Sequence, residues 1–527
     1  MEFESVIGLE THVELSTKTK MYCGCAIEFG GKANTHVCPV CLGLPGSLPQ
    51  LNKHVVELGI KAGLALNCEI TKIGRMDRKN YFYPDCPRNY QITQDELPLC
   101  RNGYIDIELE SGETRRIGIE RIHIEDDAAK ILHTKRGALV DYNRAGVPLI
   151  EVVTRPDLRT KEEVTLYLTK LKSILSAAGI SDCKMEEGSL RCDVNISVRE
   201  KGDEKLGTRT EVKNINSFKS VEKVLEHEFE RQVKAVTEGE DMFVETRRWD
   251  EANNLTVVMR SKEEANDYRY FPEGDLVTLN ISDEWIEEIR KTIPELPHEK
   301  QARFISEYKL PKYDSEVLTL TPEMAEFFDE AAKISGDPKA ASNWMMGDVS
   351  RLMNIDGTWV KELKFAPKDI AELIEVIKDG TISSAIGKQV VEVMFETGKS
   401  PKAIIEEKGL KQNNDESAIL DMVNKVLDEN PQVIEQFKAG RDRILGFAVG
   451  QVMKMAKGQA NPGIVNKLVE QEVKRDNECI NKRYCQNYGN TFCLYYLLNF
   501  SCVLKSVILS RLSISLSENS KSSSPVK

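Results

Sequence analysis

The chain opens with a segment, residues 6–15, in which apolar and polar residues alternate. A period of two is typical of a β-strand, because successive side chains point to opposite faces of a sheet. Glu10, His12 and Glu14 then share one face, while the apolar residues share the other. Carboxylate and imidazole groups are ligands of divalent cations, so this face is a candidate metal site. The alternative is the ordinary solvated face of an antiparallel sheet.

Two later segments place acids at strand positions in the same manner. Glu125 shares a face of its segment with His123, and Glu151 interrupts an otherwise apolar run. A buried carboxylate is costly unless it is paired or binds a cation, and an ion pair of Glu151 with Arg144 or Arg155 is the alternative. Two further segments carry polar pairs, Asp193 with Asn195 and Glu211 with Lys213. Several such strands in one domain predict an acidic floor that binds nucleotide phosphates through bridging cations.

Four cysteines cluster near the N-terminus as two close pairs, Cys23 with Cys25 and Cys38 with Cys41. Two thiolate pairs across a short loop can bind one tetrahedral zinc ion, and the second pair has the usual knuckle spacing. His36 is an alternative ligand in place of one cysteine. Four protein ligands leave no open coordination position, so we expect a structural zinc. The alternative is a group of four free thiols.

Several familiar chemical motifs are absent from the sequence. It contains neither the phosphate loop G-x-x-x-x-G-K-[ST] nor the dinucleotide fingerprint G-x-G-x-x-G. The nucleophile elbow G-x-S-x-G is absent as well. We therefore expect that any nucleotide is held by acids and metal on a sheet. If the reaction needs ammonia, the chain has no evident means of releasing it from glutamine.

Two segments, residues 76–85 and 267–273, interleave cationic and aromatic side chains. Such a pattern can bind phosphate or stack a base. Ordinary packing at the edge of a sheet is the alternative interpretation.

The region 431–475 is basic, whereas the whole chain has a net charge of −12. It holds eight Lys or Arg residues and four acids, which gives a local charge of +4. This composition indicates a contact with RNA phosphates, and a solvated helical face is the alternative. The candidate RNA-binding residues are Lys438, Arg441, Arg443, Lys454 and Lys457.

The composition of the 527-residue chain is that of an ordinary globular protein, with 30% charged and 41% hydrophobic residues. Its length suffices for roughly three or four domains. The negative net charge argues against a chain whose whole surface binds nucleic acid. The 13 cysteines are not spaced as a secreted disulfide scaffold, and no N-terminal signal is visible in residues 1–4, so we expect none. We therefore expect a reducing, cytoplasmic location without membrane association.

The order of apolar periods and turns predicts an α+β protein. Residues 1–292 are predicted to form a large, mostly antiparallel sheet domain, with the cysteine-rich insertion at 23–41. Residues 293–408 predict a helical domain, and residues 409–475 a small helical domain that begins with a polar linker. The tail, residues 476–527, differs from the rest. Its apolar stretch is too short for a confident membrane span, and its Ser-rich end predicts disorder.

Six segments carry a resemblance to a known family: 10–15, 77–85, 140–151, 210–217, 259–263 and 267–276. They are similar to the B subunits of the aspartyl/glutamyl-tRNA(Asn/Gln) amidotransferases. The resemblance runs from residue 1 to residue 475. It implies a cradle domain related to glutamine synthetase, a helical domain and a small tail domain that contacts tRNA.

The resemblance implies a reaction shared among subunits. A partner A subunit hydrolyses glutamine, and the ammonia passes through a channel to the B subunit. There ATP phosphorylates the side-chain carboxylate of Glu-tRNA(Gln) or Asp-tRNA(Asn), and ammonia displaces the phosphate. The implied cofactors are ATP, Mg²⁺ and a structural Zn²⁺. The implied partners are the A and C subunits in a heterotrimer, the mischarged tRNA and the synthetase that mischarges it.

The resemblance also implies roles for individual residues. The implied magnesium ligands of the kinase site are Glu10, His12, Glu125 and Glu151. Lys79 and Tyr81 complete the catalytic set, at the channel mouth or beside the phosphates. The implied nucleotide-binding residues of the same cavity are Asp193, Asn195, Glu211 and Lys213.

Two other functions compete with this interpretation. A carboxylate–ammonia ligase for a free small substrate would use the same acids but would have no basic tail module. A non-catalytic, zinc-containing RNA-binding protein would bind no nucleotide. The repeated acidic strand faces disfavour the second alternative, because carboxylates repel RNA phosphates unless metal intervenes.

Overall fold

The computed structural model of the chain describes residues 2–261, 268–411, 415–438, 441, 443–456 and 460–487. The side chains at 260, 261, 438 and 476–487 are not described. The chain divides into two compact units between Glu326 and Phe327. The domain boundaries predicted after residues 292, 408 and 475 stay predictions. Of the predicted tail, only the backbone of 476–487 is described, so its predicted disorder lies outside the described residues.

The strands of the described residues all belong to the first unit. In chain order they are β1 (Phe3–Glu14), β2 (Glu69–Ile70), β3 (Ile73–Gly74), β4 (Asp77–Asn80), β5 (Tyr90–Thr93), β6 (Cys100–Glu108), β7 (Thr114–Asp126), β8 (Lys130–Thr134), β9 (Gly137–Asp141), β10 (Pro148–Thr154), β11 (Leu190–Glu200), β12 (Thr210–Lys213), β13 (Glu245–Asp250), β14 (Leu255–Ser261), β15 (Phe271–Pro272) and β16 (Leu279–Asn280).

The helices begin in the first unit and continue through the second. They are α1 (Lys53–Ala65), α2 (Lys161–Ala177), α3 (Phe218–Glu238), α4 (Asp283–Arg290), α5 (Pro297–Ser306), α6 (Lys312–Leu318), α7 (Pro322–Ser335), α8 (Pro338–Trp344), α9 (Ser350–Asp356), α10 (Pro367–Lys378), α11 (Ser384–Thr397), α12 (Pro401–Lys408), α13 (Glu416–Glu429), α14 (Gln432–Lys438), α15 (Ile444–Met455) and α16 (Pro462–Asn487). A π-helical turn, Met345–Val349, joins α8 to α9.

Nine of the described strands form one sheet, in the order β14-β13-β12-β11-β1-β10-β7-β6-β2. Its described neighbours pair antiparallel except β12 and β13, which are parallel. Smaller sheets contain β15-β4-β5, β16-β3 and β8-β9. The α+β class with a large, mostly antiparallel sheet, as predicted from the sequence, is thus confirmed at the level of the sheet and helices. Strand β1 also shows the predicted alternation, because Ile7, Leu9 and Val13 are buried while His12 remains partly exposed.

Helices α1, α2 and α3 cover the apolar face of the sheet and share one hydrophobic core with it. Helix α1 packs closely against the sheet and the segment that leads into β6. A Cβ atom on Gly59 would lie 2.5 Å from Leu99 Cδ2, and one on Gly63 would lie even closer to Cys100 Sγ. Only glycine permits so close an approach. The other face of the sheet carries many polar side chains.

The second unit is helical throughout its described residues. Helices α13, α15 and α16 enclose a small core that includes Val423, Val452 and Val469. Within the described part of the chain, we find no helix with both the length and the apolar character needed to cross a membrane. Part of the predicted polar linker, residues 412–414, lies outside the described residues.

A buried polar network fixes α3 to strands β13 and β14. Glu228 is fully buried, and its Oε2 accepts hydrogen bonds from Arg231 Nη2 at 2.7 Å and from Gln232 Nε2 at 3.1 Å. Its Oε1 accepts from the Thr256 hydroxyl and lies 3.5 Å from Arg247 Nε. Burial would raise the pKa of Glu228, but the hydrogen bond and charge of Arg231 lower it. The carboxylate is therefore ionised and compensates two guanidinium groups.

We predict that Glu228→Ala lowers the free energy of unfolding by about 3 kcal/mol, because it removes a buried carboxylate and leaves Glu245 as the partner of both Arg231 and Arg247. The control is Glu226→Ala on the same helix, where the carboxylate pairs with Lys161 at an exposed position. We expect a much smaller loss for the control. Urea unfolding of both variants measures the difference, and equal losses would contradict the prediction.

Candidate active site

The strand register brings the predicted acids to one face of the sheet. On β1, Glu10 lies opposite Asp193 of β11, and His12 lies opposite Glu151 of β10. Glu151 in turn lies opposite His123 of β7. Residues at directly opposed positions point to the same side of a sheet, so these side chains share the face opposite the helices. We call this surface the polar face.

One group on the polar face, the histidine cluster, contains His12, Glu125 and Glu151. His12 Nε2 lies 3.6 Å from Glu125 Oε1 and 4.0 Å from Glu151 Oε2. A second imidazole approaches from β7, where His123 Nε2 lies 2.9 Å from Glu151 Oε2. The Thr93 hydroxyl donates to Glu125 Oε2 at 3.1 Å. Both carboxylates are therefore held in place by buried partners.

The carboxylates of the histidine cluster are charged although they are buried. Burial alone would raise the pKa of Glu125 and of Glu151, but His123 and Lys79 lower both. His123 responds in the opposite direction, because the two carboxylates outweigh its burial and raise its pKa to about 9. They also raise the pKa of Lys79 against its burial. The two carboxylates and the neighbouring His123 and Lys79 thus bring charges of both signs together at this site.

A second group, the carboxylate cluster, contains Glu10, Asp193 and Glu211. Lys213 Nζ lies 2.5 Å from Asp193 Oδ2 and 2.9 Å from Glu211 Oε1. The Asn195 amide donates to Glu10 Oε1 at 3.0 Å. Burial and neighbouring carboxylates raise the pKa of Glu10. One lysine ammonium thus pairs with two of the three acids and offsets only part of their charge, which indicates that this position favours cations.

Both clusters have a donor set that fits a divalent cation. In each, three donor atoms lie within 4.8 Å of one another. Ligands on opposite sides of a Mg²⁺ ion stand about 4.2 Å apart, since each lies about 2.1 Å from the metal. Carboxylate oxygens suit Mg²⁺, and one imidazole is compatible with it. Small side-chain adjustments would therefore complete either site.

The structure groups the residues differently from the sequence-based expectation. The sequence predicted Glu10 in one metal set with the histidine cluster, but the register places it beside Asp193 and Glu211. Those two acids, with Asn195 and Lys213, were predicted to bind nucleotide. All of these residues lie on the polar face. The roles assigned to individual residues stay predictions.

The two cationic and aromatic segments contact each other. Strand β15 pairs with β4, and Arg78 donates from Nε and Nη2 to the two carboxylate oxygens of Glu273, each at 2.7 Å. The backbone and side-chain amides of Asn80 both donate to the Tyr268 carbonyl at 3.0 Å. Lys79 Nζ lies 4.9 Å from the centre of the Tyr268 ring. This packing fixes Lys79 where the charges of the histidine cluster act on it.

Tyr81 follows β4 and lines a small cavity of about 60 Å³. The cavity wall also includes Gln91, Asp126 and Asp127. Burial and nearby acids raise the pKa of Tyr81 to about 12, so its hydroxyl remains protonated at neutral pH. Asp126, which lines the cavity, directly follows Glu125 of the histidine cluster in the chain.

The four clustered cysteines meet in the loop between β1 and α1. Their sulfur atoms lie within 4.8 Å of one another, and the Cys38 amide donates to Cys41 Sγ at 3.1 Å. Tetrahedral zinc needs sulfur atoms about 3.8 Å apart, since each Zn–S bond is about 2.3 Å. His36, the alternative ligand, instead places Nε2 3.4 Å from Glu28 Oε2. The thiol set fits a closed structural zinc site.

Two residues that contact the histidine cluster were not in the predicted site. His123 has a visible signal, because it lies two positions before Glu125 and so shares its strand face. Thr93 has none, because it belongs to β5 and meets Glu125 only through tertiary packing. Long-range contacts of this kind leave no periodic trace in the sequence.

The predicted RNA-binding residues are only partly described. Arg441, Arg443 and Lys454 are exposed in the second unit. The side chain of Lys438 and the whole of Lys457 lie outside the described residues. Part of the cationic and aromatic segment 267–273 is also outside them, since description resumes at Tyr268.

Comparison with known proteins finds two family models that match the chain. Residues 5–287 match the "GatB/GatE catalytic domain", and residues 326–473 match the "GatB domain". The B subunit of the aspartyl/glutamyl-tRNA(Asn/Gln) amidotransferase of Clostridium botulinum strain Alaska E43 is 78% identical over 475 residues, which cover 90% of this chain and 100% of that protein. Its counterpart in strain Langeland is 70% identical with the same coverage. The first matched region contains every residue of the polar face.

For the cysteine cluster, we predict one tightly bound zinc per chain, lost in Cys38→Ser because three thiolates and a hydroxyl bind zinc more weakly. Cys86→Ser is the control, since Cys86 is buried outside the cluster. Metal analysis by atomic emission after dialysis measures the zinc content. Zinc-free wild-type protein, or equal content in both variants, would contradict the prediction.

Proposed function

The chain belongs to the family of B subunits of the aspartyl/glutamyl-tRNA(Asn/Gln) amidotransferases, and from this premise we propose that its polar face is the kinase and amidation site of that enzyme. The family acts in tRNA-dependent amidation, a ligase reaction that forms a carbon–nitrogen bond. Nothing in the comparisons favours a ligase for a free small substrate. The proposal rests on one observation. Five neighbouring strands, β12, β11, β1, β10 and β7, place polar side chains on the same face of the sheet.

The first proposed step activates the substrate. A side-chain carboxylate oxygen of Glu-tRNA(Gln) or Asp-tRNA(Asn) attacks the γ-phosphorus of ATP, and ADP leaves. The product is an acyl phosphate. A carboxylate resists nucleophiles because its leaving group would be an oxide ion, whereas an acyl phosphate releases phosphate. The main obstacle to this step is the accumulation of negative charge around the transferred phosphoryl group.

The second proposed step forms the amide. Ammonia attacks the acyl carbon, the carbon–oxygen bond to phosphate breaks, and the nitrogen gives up a proton. We propose that a partner glutaminase, the A subunit, supplies the ammonia, because the chain has no evident motif for glutamine hydrolysis. Tyr81 and its small cavity are candidates for the point where ammonia enters. The neutral hydroxyl of Tyr81 could guide an uncharged molecule by hydrogen bonding.

The polar face has the groups needed to offset phosphate charge. Two divalent cations, with Mg²⁺ as the expected ion, would be held by the histidine cluster and by the carboxylate cluster. When bound, such ions neutralise phosphate oxygens. Lys79 and Lys213 add fixed positive charges, since neighbouring carboxylates keep the pKa of each above its usual value despite burial. Asn195 orients Glu10 through its hydrogen bond.

The remaining parts of the proposal concern the surroundings of the polar face. We propose that the sheet unit is a cradle related to glutamine synthetase, supported by a structural zinc at the cysteine cluster. The basic residues of the second unit are candidates for contact with the tRNA. The assembled enzyme is expected to contain A and C subunits, to act with the synthetase that mischarges the tRNA, and to work in the cytoplasm.

We predict that Glu125→Gln abolishes conversion of Glu-tRNA(Gln) to Gln-tRNA(Gln), with a loss of at least about a hundredfold, because it removes one anionic ligand of the histidine cluster. The enzyme should be assembled with its A and C subunits and supplied with glutamine and ATP. Glutaminase activity should persist. The control is Glu57→Gln on α1, on the opposite side of the sheet, which should convert normally.

Two results would contradict the proposal. One is full conversion of Glu-tRNA(Gln) to Gln-tRNA(Gln) by Glu125→Gln, which would show that the polar face is not the site of the reaction. The other is ATP hydrolysis that tRNA does not stimulate, with neither Glu-tRNA(Gln) nor Asp-tRNA(Asn) amidated by well-assembled wild-type enzyme. That result would favour the ligase for a free substrate.

A further inference from the structure

The hairpin of β8 and β9 stands apart from the large sheet. Its two strands pair with each other and with no other strand among the described residues. Leu132 and Leu139 are directly opposed across it, and they are 53% and 65% exposed. A two-stranded hairpin without a covering layer is only marginally stable in water. Exposed leucines on such a hairpin indicate a surface that another molecule covers.

The base of the hairpin is nevertheless firmly anchored. The Ala129 amide donates to the Asp85 carbonyl at 2.9 Å, and the Tyr142 hydroxyl donates to the Pro84 carbonyl at 2.8 Å. From the cysteine-rich insertion, the Asn34 amide donates to Asp141 Oδ1 at 2.9 Å. These bonds hold both ends of the hairpin, so that its tip projects from a fixed support.

The position of the hairpin in the chain places it at the edge of the polar face. It is inserted between β7 and β10, the strands that carry Glu125 and Glu151. Four residues separate Glu125 from the start of β8. With strands of five residues, its tip lies about 16 Å from its base. A substrate that enters the polar face from this side would pass along the hairpin.

The hairpin is basic on a chain that is acidic overall. Lys130, Lys135 and Arg136 form no ion pair with any residue that the structure describes. Its one acid, Asp141, accepts backbone hydrogen bonds at the base. Three cations and one acid give a local charge of +2, against −12 for the whole chain. Unpaired, exposed cations of this density are suited to a polyanion.

We propose that this hairpin is a docking surface for the acceptor end of the substrate RNA. Lys135 and Arg136 at the tip contact backbone phosphates, and the pair Leu132 and Leu139 packs against the apolar faces of sugar and base. The inference rests on the proposed function, because that function requires an aminoacylated RNA end to reach Glu125 and its neighbours. The unpaired positive charge favours RNA over a protein partner, for which paired charges around an apolar centre are usual.

The test uses the assembled enzyme and an RNA minihelix that consists only of the acceptor stem and the 3′ end. This probe lacks the rest of the tRNA, so the measured binding is that of the acceptor stem and the 3′ end alone. Fluorescence anisotropy at several salt concentrations gives the affinity and its salt dependence. For K135A/R136A we expect about tenfold weaker binding and a salt slope smaller by about 2, one unit for each lost phosphate contact.

The matched control is K219A/K234A, which removes two exposed lysines from α3 on the opposite side of the sheet. It should bind the minihelix like wild type. With full-length Glu-tRNA(Gln), K135A/R136A should raise KM and leave kcat and glutaminase activity nearly unchanged. Unfolding curves that match wild type exclude a folding defect.

Unchanged affinity and salt slope in K135A/R136A would overturn the inference. The inference would also be overturned if L132A/L139A lost a partner subunit on gel filtration but still bound the minihelix normally. The hairpin would then be a protein interface. If K135A/R136A weakens RNA binding but Glu125→Gln still amidates tRNA, the docking surface stands and the proposed polar-face chemistry fails.

Discussion

The structure depends on one electrostatic constraint: the five carboxylates of the two clusters share one face of a sheet, and two of them, Glu125 and Glu151, are buried. Buried charges of one sign are tolerated only where charges of the other sign compensate them. In the histidine cluster, His123 and Lys79 supply part of this compensation. In the carboxylate cluster, Lys213 supplies it. Such a face has a strong affinity for further cations, and the chemistry proposed for it transfers a phosphoryl group that needs them.

The rest of the first unit holds these charged side chains in position. The apolar face of the sheet is covered by helices, and α1 packs closely against it through Gly59 and Gly63. A shift of one residue in the register of β1 would turn Glu10 and His12 into that core. The packing of the core therefore fixes which side chains meet on the polar face. The pairing of β15 with β4 likewise fixes the position of Lys79.

The sequence predicted the strand faces but could not predict how they assemble. The alternation of residues 6–15 predicted the polar side of β1, and cysteine spacing predicted the thiol cluster, because both are local patterns. Helices α7 and α10 begin at Pro322 and Pro367, and proline in the first turn of a helix is likewise a local pattern. By contrast, the separation of Glu10 from the histidine cluster follows from strand order and register. Contacts between distant segments, such as Thr93 with Glu125, are likewise set by tertiary packing.

The most direct test of the account is the location of bound Mn²⁺ in crystals of the assembled enzyme, by anomalous scattering. Mn²⁺ binds at the carboxylate oxygens that Mg²⁺ also prefers, and it scatters anomalously. The account predicts two peaks on the polar face, one among His12, Glu125 and Glu151 and one among Glu10, Asp193 and Glu211. A polar face without a peak at saturating Mn²⁺ would contradict it.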